Sequence, residues 1–214
     1  MRVVGVYAGK VQTRLSSNGK PGDTGIAKAP VDGPVRVGPR GLEGDESAYR
    51  ARDLGDTAVH AFCRESYAQF GALAGDGRQF PIPSFGENLS VEGYTEAEAR
   101  VGDVLRVGTV LLRVNQPVVR CRWPTTVSGE PRISKWATQQ GLTGWYMDVL
   151  EPGTLQAGDA IELVERGPEG WTILALNRIL YAKPKVDADV RAALALPELA
   201  DRWKEDLREA LAEV

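Results

Sequence analysis

The spacing of hydrophobic positions changes character once along this chain. Up to about residue 170 they come in short, β-branched runs broken by glycine, the pattern of strands and turns. Val3 to Val11 alternates as a strand does. Val104 to Val107 and Val110 to Val114 are joined at Gly108-Thr109, which predicts a hairpin. Ile161 to Val164 is a further strand. Gly102-Asp103-Val104-Leu105 and Gly158-Asp159-Ala160-Ile161 repeat one device, a Gly-Asp turn entering an apolar run. A single helix is predicted within this segment, from about Thr57 to Phe70. Its stripe is Val59, Phe62 and Tyr67, and Asp56 is placed to cap it.

Beyond residue 170 the spacing becomes helical. All 24 glycines precede residue 171. The change near Gly167 to Gly170 divides the chain into a β-rich body, 1–168, and a helical extension, 169–214. Thr172 can cap a helix carrying Leu174, Leu176, Ile179 and Leu180, and Asp187 to Leu196 forms a second. Pro197 suits the first turn of a third, in which Leu199, Trp203, Leu207 and Leu211 recur every four residues. Helices this short bury little alone, so they should pack together, on the body or on a partner's helix. The two-part reading predicts that a chain lacking 171–214 keeps a β-rich fold.

Hydrophobic residues make up 43% and charged residues 26%, ordinary for a chain with a buried core. A net charge of −3 and the lack of a clustered basic surface argue against nucleic-acid binding. No run approaches the length of a membrane span, and the opening segment lacks the pattern of a secretion signal. The expected setting is therefore the cytoplasm, away from membranes, with Cys63 and Cys121 reduced. Two cysteines are too few for a disulfide scaffold or a thiolate cluster, and with His60 the single histidine neither a Ser-His-Asp triad nor a multi-histidine metal site is expected.

Four segments carry a resemblance: GLEGDE (Gly41 to Glu46), FGENL (Phe85 to Leu89), RVGDVLRVG (Arg100 to Gly108) and NQPVVRC (Asn115 to Cys121). VYAGKVQ (Val6 to Gln12) and GIAKAPVDGPVRV (Gly25 to Val37) extend it towards the start. TILALNRILY (Thr172 to Tyr181) and LADRWKEDL (Leu199 to Leu207) carry it through the tail. Together these resemble a MOSC-domain protein, the class of the C-terminal domain of molybdenum-cofactor sulfurases, in the stand-alone bacterial branch with a three-helix extension. The resemblance implies a mainly β fold: a MOSC-type β-barrel body with a few helices, plus the C-terminal three-helix region. It also implies a cleft for molybdenum cofactor (molybdopterin), and reduction of N-hydroxylated small molecules with electrons from a flavin-containing partner. Pyridoxal phosphate is not indicated.

In that frame Cys121 is the candidate catalytic residue, as metal ligand or persulfide carrier. A thiolate is a soft ligand that can also hold sulfane sulfur, and the flanking Arg120 and Arg122 favour it. A lone cysteine is otherwise commonly a buried structural residue, the reading given to Cys63. Candidate cofactor-binding residues are Lys10, Lys28, Arg52, Arg120 and Arg122 as cations for a phosphate. Glu87 and Asn88 offer a carboxylate and an amide, Gly44 and Asp45 a close backbone approach, and Asp56 belongs to the loop before the predicted helix. Glu87, Asn88, Gly44 and Asp45 read equally as plain turn residues. His60 reads as structural. Members of the family usually carry His-Gly-Gly-Pro-Asp where this chain has Arg52-Asp53-Leu54-Gly55-Asp56. Arginine binds anions but is no acid or base near neutrality. Two other readings therefore stand beside the oxidoreductase: a repurposed fold that no longer uses the metal, and a carrier of cofactor or sulfur without turnover.

Overall fold

The structure is a computed structural model and describes residues 1–48, 55–119 and 121–212. The first half supplies β1 (Arg2–Ala8), β2 (Gln12–Leu15), β3 (Pro21–Thr24), β4 (Ala29–Pro30), β5 (Val35–Gly38), β6 (Gly41–Leu42) and β7 (Val59–Cys63). Helix α1 (Arg64–Ala74) leads to β8 (Leu89–Glu92), β9 (Val104–Val107) and β10 (Val110–Pro117). Helices α2 (Trp123–Ser128) and α3 (Ile133–Gln140) precede β11 (Trp145–Glu151), β12 (Gly153–Leu155) and β13 (Ile161–Glu165). The tail is α4 (Ile173–Tyr181), α5 (Asp187–Leu194) and α6 (Asp201–Ala212).

Eight strands form one sheet in the order β13-β9-β10-β11-β7-β8-β1-β4. The β9–β10 hairpin turns at Gly108-Thr109 as its sequence predicts. Strand β1 also meets the approach to β13: Val3 N donates to Asp159 O at 2.9 Å, and Ile161 N donates to Met1 O at 3.1 Å. Those bonds join the two ends of the sheet, and the body is a barrel. Both Gly-Asp turns sit where their glycines need positive φ, +89° at Gly102 and +97° at Gly158, and each delivers the chain into a strand.

The helix expected over Thr57–Phe70 is corrected. Residues Val59–Cys63 are a strand, all five buried, lying between antiparallel β11 and parallel β8. A central strand covered on both faces is apolar throughout, so its short run has no period to separate it from a helix. The helix begins only at Arg64, and Cys63, not Asp56, occupies its cap. Helix α1 then makes the crossover that parallel strands β7 and β8 require. Helices α2 and α3 were not foreseen; each is short and ends on a left-handed glycine, Gly129 and Gly141.

The tail helices follow the sequence closely. Thr172 Oγ1 accepts from Ala175 N at 3.1 Å, capping α4. Pro197 is not in the first turn of α6, which starts four residues later at Asp201. Leu199, Trp203 and Leu207 are nonetheless buried as the four-residue spacing requires. Their apolar cluster is continuous with that of the barrel: Ile173, Leu176, Val190, Trp203 and Leu207 pack in one core with Val101, Leu112 and Trp145. Backbone bonds reinforce the contact, Ile173 N to Ala99 O at 2.8 Å and Ala200 N to Asn115 O at 3.1 Å. A second, aromatic core of Phe62, Tyr67, Phe70 and Phe85 fills the space between α1 and α3. Among the described residues no helix is long and apolar enough to cross a membrane.

Candidate functional site

A cleft opens where the β2–β3 hairpin and the segment after it face α2 and the ends of β7 and β11. Asp23, Thr24, Gly25, Ile26 and Lys28 line one side, Asp45 to Ala48 another. His60, Phe85, Asn88, Cys121, Trp123 and Tyr146 complete its walls. An adjoining cavity of about 400 Å³ shares Asp45, Glu46, Ser47 and Thr57 with it and reaches Arg40.

The polar heart of the cleft is built around Asp45. One carboxylate oxygen takes the Lys28 ammonium and Gly9 N, the latter at 2.9 Å; the other accepts from Asn88 Nδ2 at 2.9 Å. Asn88 is itself fixed, its Oδ1 accepting from His60 N at 3.1 Å and its Nδ2 also reaching Tyr7 O at 3.2 Å. Three separate segments, adjoining β1, β4 and β8, therefore hold one carboxylate. The Lys28 side chain is 6% exposed. Burial pushes its ammonium below the usual lysine range, while the negative charges of Asp45 and Glu87 pull the other way.

Cys121 is exposed, between the end of β10 and the start of α2. Its carbonyl accepts from Ser134 Oγ at 3.0 Å, which ties the segment to α3. Cys63 is the opposite case: buried at the β7–α1 junction, its thiol 2.9 Å from Glu65 Oε2. Burial and then that hydrogen bond push its pKa far up, so it stays an inert thiol.

Of the candidate residues, Cys121, Lys28, Asp45 and Asn88 meet at the cleft. Glu87 does not line it: fully buried on the aromatic side, it accepts from Tyr67 OH at 2.7 Å and from Phe85 N at 3.1 Å. Burial, with Glu87 beside it, holds the Tyr67 phenol well above its ordinary value. Lys10 is an exposed cation paired with Glu46 at 3.1 Å, outside the lining. Gly44 serves a turn at φ +85°, also outside it. Asp56 gives its backbone carbonyl to Asn115 Nδ2 and Gln116 Nε2, at 2.8 and 3.0 Å, and so anchors the loop rather than facing the cleft. Arg122 lies over the Trp123 ring, 5.4 Å from its centroid. Arg52 and Arg120 fall outside the described residues. Sequence reasoning missed His60, Trp123 and Tyr146 as cleft residues. The helix expected over Thr57–Phe70 gives His60 different neighbours; on β7 its ring lies 5.2 Å from that of Tyr146.

Residues 32–162 match the MOSC domain, and residues 171–213 match the YiiM-like 3-alpha helix domain. The chain belongs to the MOSC-domain family. It is 33% identical to the protein YiiM of Escherichia coli, with 94% of this chain and 88% of that protein covered. To YflK of Bacillus subtilis it is 32% identical, covering 94% and 90%. A reductase of Gibberella moniliformis is 31% identical over 74% of this chain, which spans 28% of that longer protein. Among solved structures, YiiM from Geobacillus stearothermophilus superposes with a TM-score of 0.80 at 28% identity, 98% of each chain being covered. The E. coli YiiM structure gives 0.78 at 27% identity, covering all of this chain and 94% of the other. The barrel and the three-helix tail thus occur together in MOSC relatives.

Proposed function

We propose that this protein is an oxidoreductase that holds molybdenum cofactor in the Cys121 cleft and reduces an N-hydroxylated small molecule. The observation that carries the reading is the meeting, in one cleft, of an exposed thiol with a buried, carboxylate-held ammonium. The similarity to a fungal protein named a reductase supports the same class of chemistry.

The donor set fits that group. No cluster of three His, Cys, Asp or Glu side chains able to cage a metal exists among the described residues. A metal already ligated by an organic cofactor needs no such cage; it needs one soft ligand, and Cys121 offers it. When bound, the group would supply a metal centre able to change oxidation state by two electrons. The overall reaction is R–NH–OH plus two electrons and two protons, giving R–NH2 and water. Lys28 Nζ is the cleft's proton donor: burial loosens its proton, and Asp45 holds it in place. Asn88 sets the position of Asp45 and takes no part in the proton's movement. Trp123, Tyr146 and Phe85 give the substrate apolar walls.

The test is metal content in a host that makes the cofactor. Wild type should carry molybdenum, Cys121→Ser should fold and lose it with any N–O reductase activity, and Cys63→Ser should lose neither. Wild type without molybdenum would end this reading; metal retained in Cys121→Ser would remove Cys121 as its ligand.

A further inference from the structure

A second pocket, of about 800 Å³, lies where the tail meets the body and shares no residue with the Cys121 cleft. The last turn of α3 with its Gly141 cap supplies one wall, and the last turn of α4 supplies the other. The final carbonyls of a helix have no partner within it, and that end carries partial negative charge. In α3 the capping bonds close on Ala137 O and Thr138 O, leaving the carbonyls of Gln139 and Gln140 without a helical partner. No basic side chain stands in the last turn of α3 to answer that charge.

Asn177 lines this pocket, is 1% exposed, and has a carboxamide bound at one end only. Its Nδ2 donates to Gly141 O at 3.0 Å and to Thr143 Oγ1 at 2.8 Å, which uses both hydrogens. The Thr143 hydroxyl gives its own hydrogen to Gly144 O at 3.1 Å, so it can only accept from Asn177. The amide therefore cannot be turned over, and Oδ1 is left a buried acceptor with no donor among the described residues. Such an oxygen destabilises the fold until a donor meets it. Beside it Arg178 is exposed and makes no ion pair among the described residues. No Asp or Glu stands among the described residues of the lining.

We propose that this pocket is a second ligand site, for a small zwitterion of the α-amino acid class. An ammonium supplies the donor that Asn177 Oδ1 and the α3 carbonyls lack, and the Arg178 guanidinium takes the carboxylate. The exposed amides of Gln139 and Gln140 suit a ligand side chain that both donates and accepts, such as a carboxamide. A simple anion answers only Arg178, and a simple amine only the acceptors. The ligand touches body and tail together, so its binding stabilises the seam between them.

L-glutamine serves as the probe on the full-length protein, read by calorimetry and by thermal melts. Beside it stand two truncated forms: glutaramate, which lacks the ammonium, and 4-aminobutanamide, which lacks the carboxylate. Wild type should bind L-glutamine, melt higher in its presence, and bind each truncated form about tenfold or more weakly. Arg178→Gln should weaken L-glutamine by a similar factor and leave 4-aminobutanamide unchanged, since that form has no carboxylate to lose. Asn177→Ala should erase the preference for L-glutamine over glutaramate. Should that buried change prevent folding, Arg178→Gln and the truncated pair still decide. Cys121→Ser should bind L-glutamine as wild type does, because the cleft is separate. No binding by wild type at millimolar concentration, equal affinity for all three compounds, or L-glutamine binding untouched by Arg178→Gln overturns the site. Loss of L-glutamine binding in Cys121→Ser overturns it too, by moving the ligand to the cleft.

Discussion

Two carboxylates, the buried Asp103 and the half-buried Asp45, do opposite things with the same chemical group. Asp103 lies at the seam between barrel and tail, fully buried. It takes Tyr94 OH, Arg100 N at 2.8 Å, Gly167 N at 2.8 Å and Arg166 Nη1 at 2.9 Å. Every direction is filled by this chain, so the group can only hold structure together. Asp45 is gripped as firmly, but its partner Lys28 looks into a cleft. A closed shell of donors makes a rivet. The same shell with one open side makes a site.

The largest test of this contrast removes the seam altogether. Without residues 171–214 the barrel would lose the cover of Val101 and Leu112 and the partners of several backbone groups. The shared core therefore predicts loss of a cooperative thermal melt, against the expectation of an independent body. Retention of a cooperative, β-rich melt would make the division at 168/169 a true folding boundary.

Next come the carboxylates themselves. Asp103→Ala should cost roughly 3–5 kcal/mol, because it strands several buried donors at once. Asp45→Ala should cost less, roughly 1–3 kcal/mol, since the Lys28 ammonium, already loosened by burial, can give up its proton. It should, however, abolish metal loading, which Asp103→Ala leaves intact in the folded fraction. Urea unfolding and metal analysis on both variants check the pair; equal losses of stability and of metal would erase the distinction.

The smallest effect concerns the two thiols, the same contrast in another element. Iodoacetamide should alkylate Cys121 and spare Cys63. The pH dependence follows from the raised Cys63 pKa. An unfolded chain releases that proton from about pH 9.0, while the folded chain keeps it. The folded state therefore binds more protons above that point, and stability falls as pH rises, by about 1.4 kcal/mol at pH 10. Cys63→Ala should remove that part of the decline in urea titrations at about pH 8 and pH 10. An unchanged slope would show that the Cys63 thiol titrates alike in both states.

Much of the fold was legible because its signals are local. Gly108-Thr109 between two β-branched runs, the paired Gly-Asp turns and the four-residue spacing from Leu199 to Leu207 each specify an element within a few residues. β7 was not legible, because complete burial erases the alternation that marks a strand. Placing His60 on a helix then hid it from the cleft. Cys121, Lys28, Asp45 and Asn88 could be named from motifs, yet only the tertiary structure shows that Asn88 holds Asp45 and that Glu87, its neighbour, turns to the aromatic core. Side-chain direction across distant strands is not written in any single window.

Barrel closure has a consequence for how the chain is made. Strand β1 is sealed by bonds from Val3 and Met1 to Asp159 and Ile161, and β13 follows directly. During synthesis the first strand must therefore wait, with one edge unpaired, until nearly the whole body has left the ribosome. Contacts this distant in sequence form slowly, and an exposed strand edge is open to pairing with other chains meanwhile. The tail emerges after the body, so the helices that cover the finished barrel arrive when there is at last a closed surface to cover.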